Sequence, residues 1–151
     1  MTINENNNVF ELELRIKSQL QYLSTVRNFI KTISEMKQFD NDLLLEITLV
    51  LDEAVANIIE HGYKLSGDKE VFIKIWVDPE KVEIHIIDFS DGFDFDKAGN
   101  VNLDVHRQAR KNRGLGVYII KKIMDKTEYK RDPVNGNELK LIKYLKKPIG
   151  E

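Results

Sequence analysis

Residues 71–88 read Val-Phe-Ile-Lys-Ile-Trp-Val-Asp-Pro-Glu-Lys-Val-Glu-Ile-His-Ile-Ile-Asp, and their alternation decides the fold. Successive side chains of an extended chain point to opposite faces. Val71, Ile73, Ile75 and Val77 therefore line one face, and Val82, Ile84 and Ile86 line the same face of a returning strand. Asp78-Pro79-Glu80 supplies the turn between them, so the segment predicts a hairpin. Asp88 keeps the parity of Val82, Ile84 and Ile86, which aims its carboxylate at the covered face. A carboxylate there needs donors, because burying it unpaired costs several kcal/mol. Gly92 follows four residues later, where the backbone must turn sharply or come close to a ligand.

Upstream of the hairpin, Phe10, Leu12, Leu14 and Ile16 alternate with Glu11, Glu13 and Arg15, the period of a half-buried strand from Val9 to Ile16. The period then lengthens. Leu20, Leu23, Val26, Ile30 and Ile33 recur at helical spacing to about Gln38, and Asp40 before an apolar-rich stretch reads as the N-cap of a second helix ending near Gly62. Downstream, residues 94–112 show no sustained period and hold Gly99, Arg107, Arg110 and Lys111. A loop of that length inside a compact domain is usually functional or disordered. After Gly114-Leu115-Gly116, the positions of Val117, Ile120 and Met124 mark a short helix, and strands near Thr127–Arg131 and Glu138–Leu145 flank a turn at Asn135-Gly136. The order β, α, α, β, β, loop, α, β, β predicts an α/β (α+β) two-layer sandwich whose mainly antiparallel mixed sheet is covered on one face by helices. No linker or repeat interrupts residues 1–151, so a single domain with its core at about 9–146 is expected.

Composition narrows the function classes. The chain has 151 residues, 42% hydrophobic and 32% charged, with a net charge of −2, which suits a globular protein and lacks the basic excess of a nucleic-acid binder. With no Cys there is no disulfide framework, no thiolate nucleophile and no cysteine-ligated zinc. His61, His85 and His106 lack metal-ligand spacing. The opening MTINENNNVFELEL has no cationic segment ahead of an apolar one, and no apolar run approaches the ~18 residues of a membrane span. A soluble, cytoplasmic protein without direct nucleic-acid or membrane contact is the expectation.

Three pieces carry chemistry. On the second helix Glu46, Glu53, Asn57, Glu60 and His61 share one face, with Ile47, Leu51, Ala54, Val55 and Ile58 on the other. Six acids and no Lys or Arg lie between Asp40 and Glu60, so that face has no cationic partner of its own. The second piece is Asp88 followed by Gly92. The third is Arg113-Gly114-Leu115-Gly116 opening a helix, where small residues leave oriented amide hydrogens that favour an anionic group such as phosphate.

In this order the three pieces resemble the Bergerat-fold (GHKL) ATP-binding domains, and most closely the stand-alone anti-sigma-factor serine/threonine kinases of bacterial partner-switching systems. Glu53-Ala54-Val55-Ala56-Asn57-Ile58-Ile59-Glu60-His61-Gly62 matches the N box, Asp88–Phe93 the first glycine box, and Arg113–Asp125 the second. Three positions depart from the family pattern: Ser90 and Asn112 stand where glycines are usual, and a position around Asn137 where a threonine is.

The resemblance implies ATP and Mg²⁺ as cofactors. Asn57 would ligate Mg²⁺, Asp88 would take the adenine amino group, and Gly92, Gly114, Leu115 and Gly116 would let backbone reach the nucleotide. Glu53 is the implied catalytic base. Arg110, Lys111 and Arg113 lie beside a lid at about 94–112 and would serve the outer phosphates. The implied partners are a sigma factor, a STAS-type anti-sigma-factor antagonist as phosphoacceptor, and a second copy in a homodimer. Between Lys121 and Lys147 nine Lys or Arg stand against four acids, a stretch that would steer an acidic partner or form an ordinary solvated face. Two alternatives stay open: a non-catalytic nucleotide-binding regulator of the same switch, and a detached sensor-kinase-like ATPase domain.

Overall fold

The alternating segment forms the centre of the sheet. In a computed structural model describing residues 9–92, Phe95 and 115–146, β2 (Glu70–Val77) and β3 (Lys81–Asp88) pair antiparallel from Val71↔Asp88 to Val77↔Val82. Asp78 makes the turn: its Oδ1 accepts from the backbone N–H of Glu80 (2.7 Å) and Lys81 (2.9 Å), a side chain standing in for a backbone carbonyl. β1 (Phe10–Lys17) adds to β2. β5 (Asn137–Tyr144) adds to β3 and carries β4 (Lys126–Lys130) at the edge, giving the order β1-β2-β3-β5-β4. The antiparallel sheet of the expected sandwich is present, and among the described strands every pairing is antiparallel, so no parallel pair makes it mixed.

Val71, Ile73, Ile75, Val77, Val82, Ile84 and Ile86 all lie buried on one face, as the alternation requires. They meet Val26, Phe29, Ile30 and Ile33 of α1 (Leu23–Lys37), Ile47, Leu51, Ala54 and Val55 of α2 (Asn41–Asn57), and Val117 and Ile120 of α3 (Leu115–Ile123). Each such side chain contributes about 1.5–3 kcal/mol when fully buried, and this layer holds the three helices over the sheet. None of the helices among the described residues is long and apolar enough to cross a membrane.

Helix boundaries follow local chemistry. A 3₁₀ turn at Leu20–Tyr22 leads into α1, which ends at Gln38 in a left-handed conformation (φ 55°). Asp40 is the expected N-cap of α2, its Oδ1 accepting from Leu43 N–H at 2.8 Å. The helix reaches the expected Gly62, but its last turn, Ile58–Gly62, is a π turn. The wider turn delivers Tyr63 to the sheet. The Tyr63 hydroxyl donates to the Glu70 carbonyl (2.6 Å) and accepts from Phe89 N–H (2.7 Å), tying the end of α2 to β2 and to the exit of β3. Isolated π turns inside helices cluster at functional sites.

Candidate nucleotide site

Asp88, at the end of β3, is 1% exposed and faces the covered side. Its donors come from two other positions. Oδ1 accepts from Ser90 N–H (3.0 Å), from the Ser90 hydroxyl (2.5 Å) and from Asn137 Nδ2 (3.1 Å), the last belonging to the first residue of β5. Asn137 is 4% exposed and spends its second amide hydrogen on the Ser90 carbonyl (2.9 Å). Ser90 Oγ in turn accepts from Gly92 N–H (3.0 Å). Ser90 and Asn137, both departures from the family pattern, are thus the groups that satisfy the buried carboxylate.

Gly92 has φ +80°, and a Cβ there would lie 2.7 Å from Arg131 Nε and 3.0 Å from the Tyr129 hydroxyl. Only glycine suits that combination of left-handed backbone and close approach. Arg131, beyond the end of β4, donates to the Asp91 carbonyl and so braces the same turn. Further along, Phe95 is 1% exposed, with its ring 5.8 Å from that of Tyr129 and Lys121 Nζ 4.8 Å from its centroid. The periodicity of 94–112 assigned Phe95 to a polar loop. Its burial corrects that reading for this residue, because the partners that cover it sit on β4 and α3.

The second half of the site lies where α2 meets α3. Glu53 and Asn57 are half-buried, one turn apart, and Gly116 is buried directly against them. A Cβ on Gly116 would sit 2.6 Å from Glu53 Oε2 and 3.2 Å from Asn57 Nδ2. The missing side chain lets the first turn of α3, including Leu115, approach the two polar residues. Neither Glu53 nor Asn57 has a side-chain hydrogen bond or ion pair among the described residues.

Burial raises the pKa of the Glu53 carboxyl above the ordinary carboxylate value, and the negative charges of Asp52 and Glu60 push it the same way. Of the two acids that share its helix face, Glu60 acts on it and Glu46 does not, while Asp52, off that face, contributes as well. Glu46 pairs with Lys143 Nζ at 3.1 Å, a lysine that also donates to the Ile123 carbonyl. Asp52 likewise receives Arg27 of α1 at 3.0 and 2.9 Å. Two acids of α2, Glu46 and Asp52, therefore do have cationic partners, supplied by β5 and α1 rather than by the helix itself.

The residues so far assembled fall into two groups: Asp88, Ser90, Gly92 and Asn137 at one end, and Glu53, Asn57, Leu115 and Gly116 at the other. Arg110, Lys111, Arg113, Gly114 and Asn112, with the rest of the expected lid at 94–112 apart from Phe95, lie outside the described residues. Among the described residues no cluster of three or more His, Cys, Asp or Glu could hold a metal alone. Asn57 offers a single side-chain oxygen, so a cation here would need its other ligands from phosphate and water, a requirement that a hard ion such as Mg²⁺ can meet.

The chain belongs to the histidine kinase-like ATPase domain family, whose model matches residues 16–143. It is 24% identical over 143 residues to the serine-protein kinase RsbW of Bacillus subtilis (strain 168), covering 92% of this chain and 88% of that protein. To the serine-protein kinase RsbW of Staphylococcus aureus it is 26% identical over 142 residues, covering 90% and 87%. Among solved structures, a chain of the SiaB-SiaC complex from Pseudomonas aeruginosa shares the fold with a TM-score of 0.58 at 13% identity, covering 89% of each chain. The resemblance drawn from the N box and glycine boxes is borne out at the level of this ATPase family, and ATP is its cofactor class; the two curated relatives are both named serine-protein kinases.

Proposed function

We propose that the chain is an anti-sigma-factor serine/threonine kinase that binds a sigma factor and phosphorylates a STAS-type antagonist with Mg-ATP. The observation that carries the reading is the half-buried Glu53, free of ion pairs among the described residues, one turn from Asn57 and against the start of α3. Its relatives' names as serine-protein kinases supply the reaction class.

Phosphoryl transfer needs positioning and charge neutralisation more than covalent chemistry by the protein. Mg²⁺, when bound, supplies that neutralisation. Asn57 offers the amide oxygen that would hold it. Asp88 reads the base through its Oδ2, which has no partner among the described residues, and the resemblance assigns the phosphates to the Gly114-Leu115-Gly116 segment. Arg110, Lys111 and Arg113 serve the outer phosphates. Glu53 accepts the proton of the incoming serine or threonine hydroxyl, and a carboxyl whose pKa is raised toward neutrality is a better base than an ordinary one.

Ser90 and Asn137 do not weaken this reading in favour of a binding-only regulator, since both satisfy Asp88. The homodimer, the cytoplasmic setting and a partner steered by the basic stretch from Lys121 to Lys147 belong to the same proposal. The test is transfer of label from γ-labelled ATP to each STAS-type antagonist encoded in the source genome. Label on serine or threonine of one antagonist is the expected result. Binding of ATP without labelling of any antagonist would replace the kinase with a binding-only regulator.

A further inference from the structure

We infer that Ser90 and Asn137 are positioning residues that select the base: they hold Asp88 so that it accepts an exocyclic amino group and rejects a keto oxygen. The inference rests on the nucleotide site proposed above and adds to it the two residues that govern base specificity.

The geometry runs as a closed chain of commitments. Three donors converge on Asp88 Oδ1, from Ser90 N–H, Ser90 Oγ and Asn137 Nδ2, and none reaches Oδ2 among the described residues. The Ser90 hydroxyl gives its only hydrogen to Asp88 and takes one from Gly92 N–H, so it has no hydrogen left for a ligand. Asn137 is fixed on three sides. Its two amide hydrogens go to Asp88 and to the Ser90 carbonyl, and its oxygen accepts from Asp132 N–H at 3.3 Å. An ionised carboxylate is an acceptor only. With Oδ1 filled, what remains is one acceptor oxygen at a fixed angle. Its complement is an N–H of the kind carried by the 6-amino group of adenine. A keto oxygen at that position would face Oδ2 with two acceptors and no proton between them, and an unmade hydrogen bond in a buried site carries the full cost of desolvation.

Remove Ser90 Oγ or Asn137 Nδ2 and Asp88 is free to turn, so the direction of Oδ2 is no longer specified. The effect falls on the base and leaves the phosphate end untouched.

The experiment compares ATP with inosine triphosphate, which carries a keto oxygen in place of the amino group, on wild type, Ser90→Ala, Ser90→Thr and Asn137→Ala, each with Mg²⁺. Wild type is expected to prefer ATP. In the alanine variants ATP affinity should fall about tenfold, the size of one lost hydrogen bond to a charged group, while inosine triphosphate affinity barely moves. Ser90→Thr, which keeps the hydroxyl, should retain the preference. Because Asn137 is buried and its variant is at risk of misfolding, the partly exposed Ser90 pair decides alone. Equal weakening for both nucleotides, or an unchanged preference in folded Ser90→Ala, would overturn the inference while leaving the kinase reading intact. A wild type that binds both nucleotides equally would also overturn it. A wild type that binds neither would overturn the proposed function as well.

Discussion

At the Asp88 end of the site, the donors are committed. Ser90, Asn137 and Gly92 form a hydrogen-bonded cluster around one carboxylate oxygen, and the Tyr63 hydroxyl pins the neighbouring backbone between Glu70 and Phe89. At the Glu53 end, the side chains of Glu53 and Asn57 have no hydrogen bond or ion pair among the described residues, and only the absent side chain of Gly116 leaves room for them. Both side chains are only half-buried, so water can satisfy them and they stay available to an incoming group. Under the proposed function, the contrast separates a preformed reader of the base from a chemical end whose groups would meet phosphate, cation and acceptor hydroxyl.

Removing the base from the chemical end should give the largest effect. Glu53→Gln is expected to slow phosphotransfer by about 10²–10⁴-fold, or about 2.7–5.4 kcal/mol of barrier, with ATP affinity nearly unchanged. Labelled-phosphate transfer beside a binding titration checks it. If the variant transfers as fast as wild type, Glu53 has no such role and the contrast between the two ends collapses.

The opposite end should respond in stability. Tyr63→Phe takes the acceptor from Phe89 N–H and the donor from the Glu70 carbonyl, leaving polar backbone groups unsatisfied at a cost of about 1–3 kcal/mol. For a chain of this length that is a fall of roughly 2–4 °C in melting temperature per kcal/mol. Base affinity should weaken with it, because Phe89 directly follows Asp88.

Gly116→Ala sharpens the comparison from the other side. The added methyl would meet the end of the flexible Glu53 side chain, which can swing away, and Ala is the better helix former by about 1 kcal/mol. The melting temperature should therefore change little, while phosphotransfer falls about tenfold because Glu53 has been displaced; that factor corresponds to about 1.4 kcal/mol. A large loss of stability with normal transfer would show that Gly116 serves packing alone.

The smallest expected effect is on the pH profile. The folded-state pKa of Glu53 lies above the ordinary carboxylate value, chiefly because the group is partly buried. Between the unfolded and the raised folded value the native chain binds more protons than the unfolded one, so stability falls as pH rises through that window. Glu53→Gln should abolish this contribution, making the variant more stable than wild type at neutral pH, with the difference vanishing at acidic pH. Thermal melts at pH 7 and pH 4 give the sign.

The sheet and the Asp88 end were legible because they depend on local pattern. Parity along β3 places Asp88 on the covered face whatever else the chain does, and Asp40 announces α2 through its own side chain. The groups that answer Asp88 were visible only as departures from a family pattern, since nothing in the sequence says that residue 137 lies opposite residue 88. That pairing comes from the β3–β5 register. Long-range contacts also account for what the sequence read differently. Lys143 and Arg27 reach the acids of α2 from other elements, Tyr129 and Lys121 cover Phe95, and the π turn has no periodic signature of its own.

The central claim is that the two ends form one nucleotide site, and thermal shift with Mg-ATP tests it most directly. A ligand that binds the folded state alone stabilises it by RT ln(1 + [L]/Kd), so the melting temperature climbs with the logarithm of ligand concentration once that exceeds the dissociation constant. Wild type should show that rise, Asp88→Asn should need far more ATP to reach it, and Asn57→Ala should lose its dependence on Mg²⁺. A wild-type melting temperature that stays put at millimolar ATP, with or without Mg²⁺, would contradict the account.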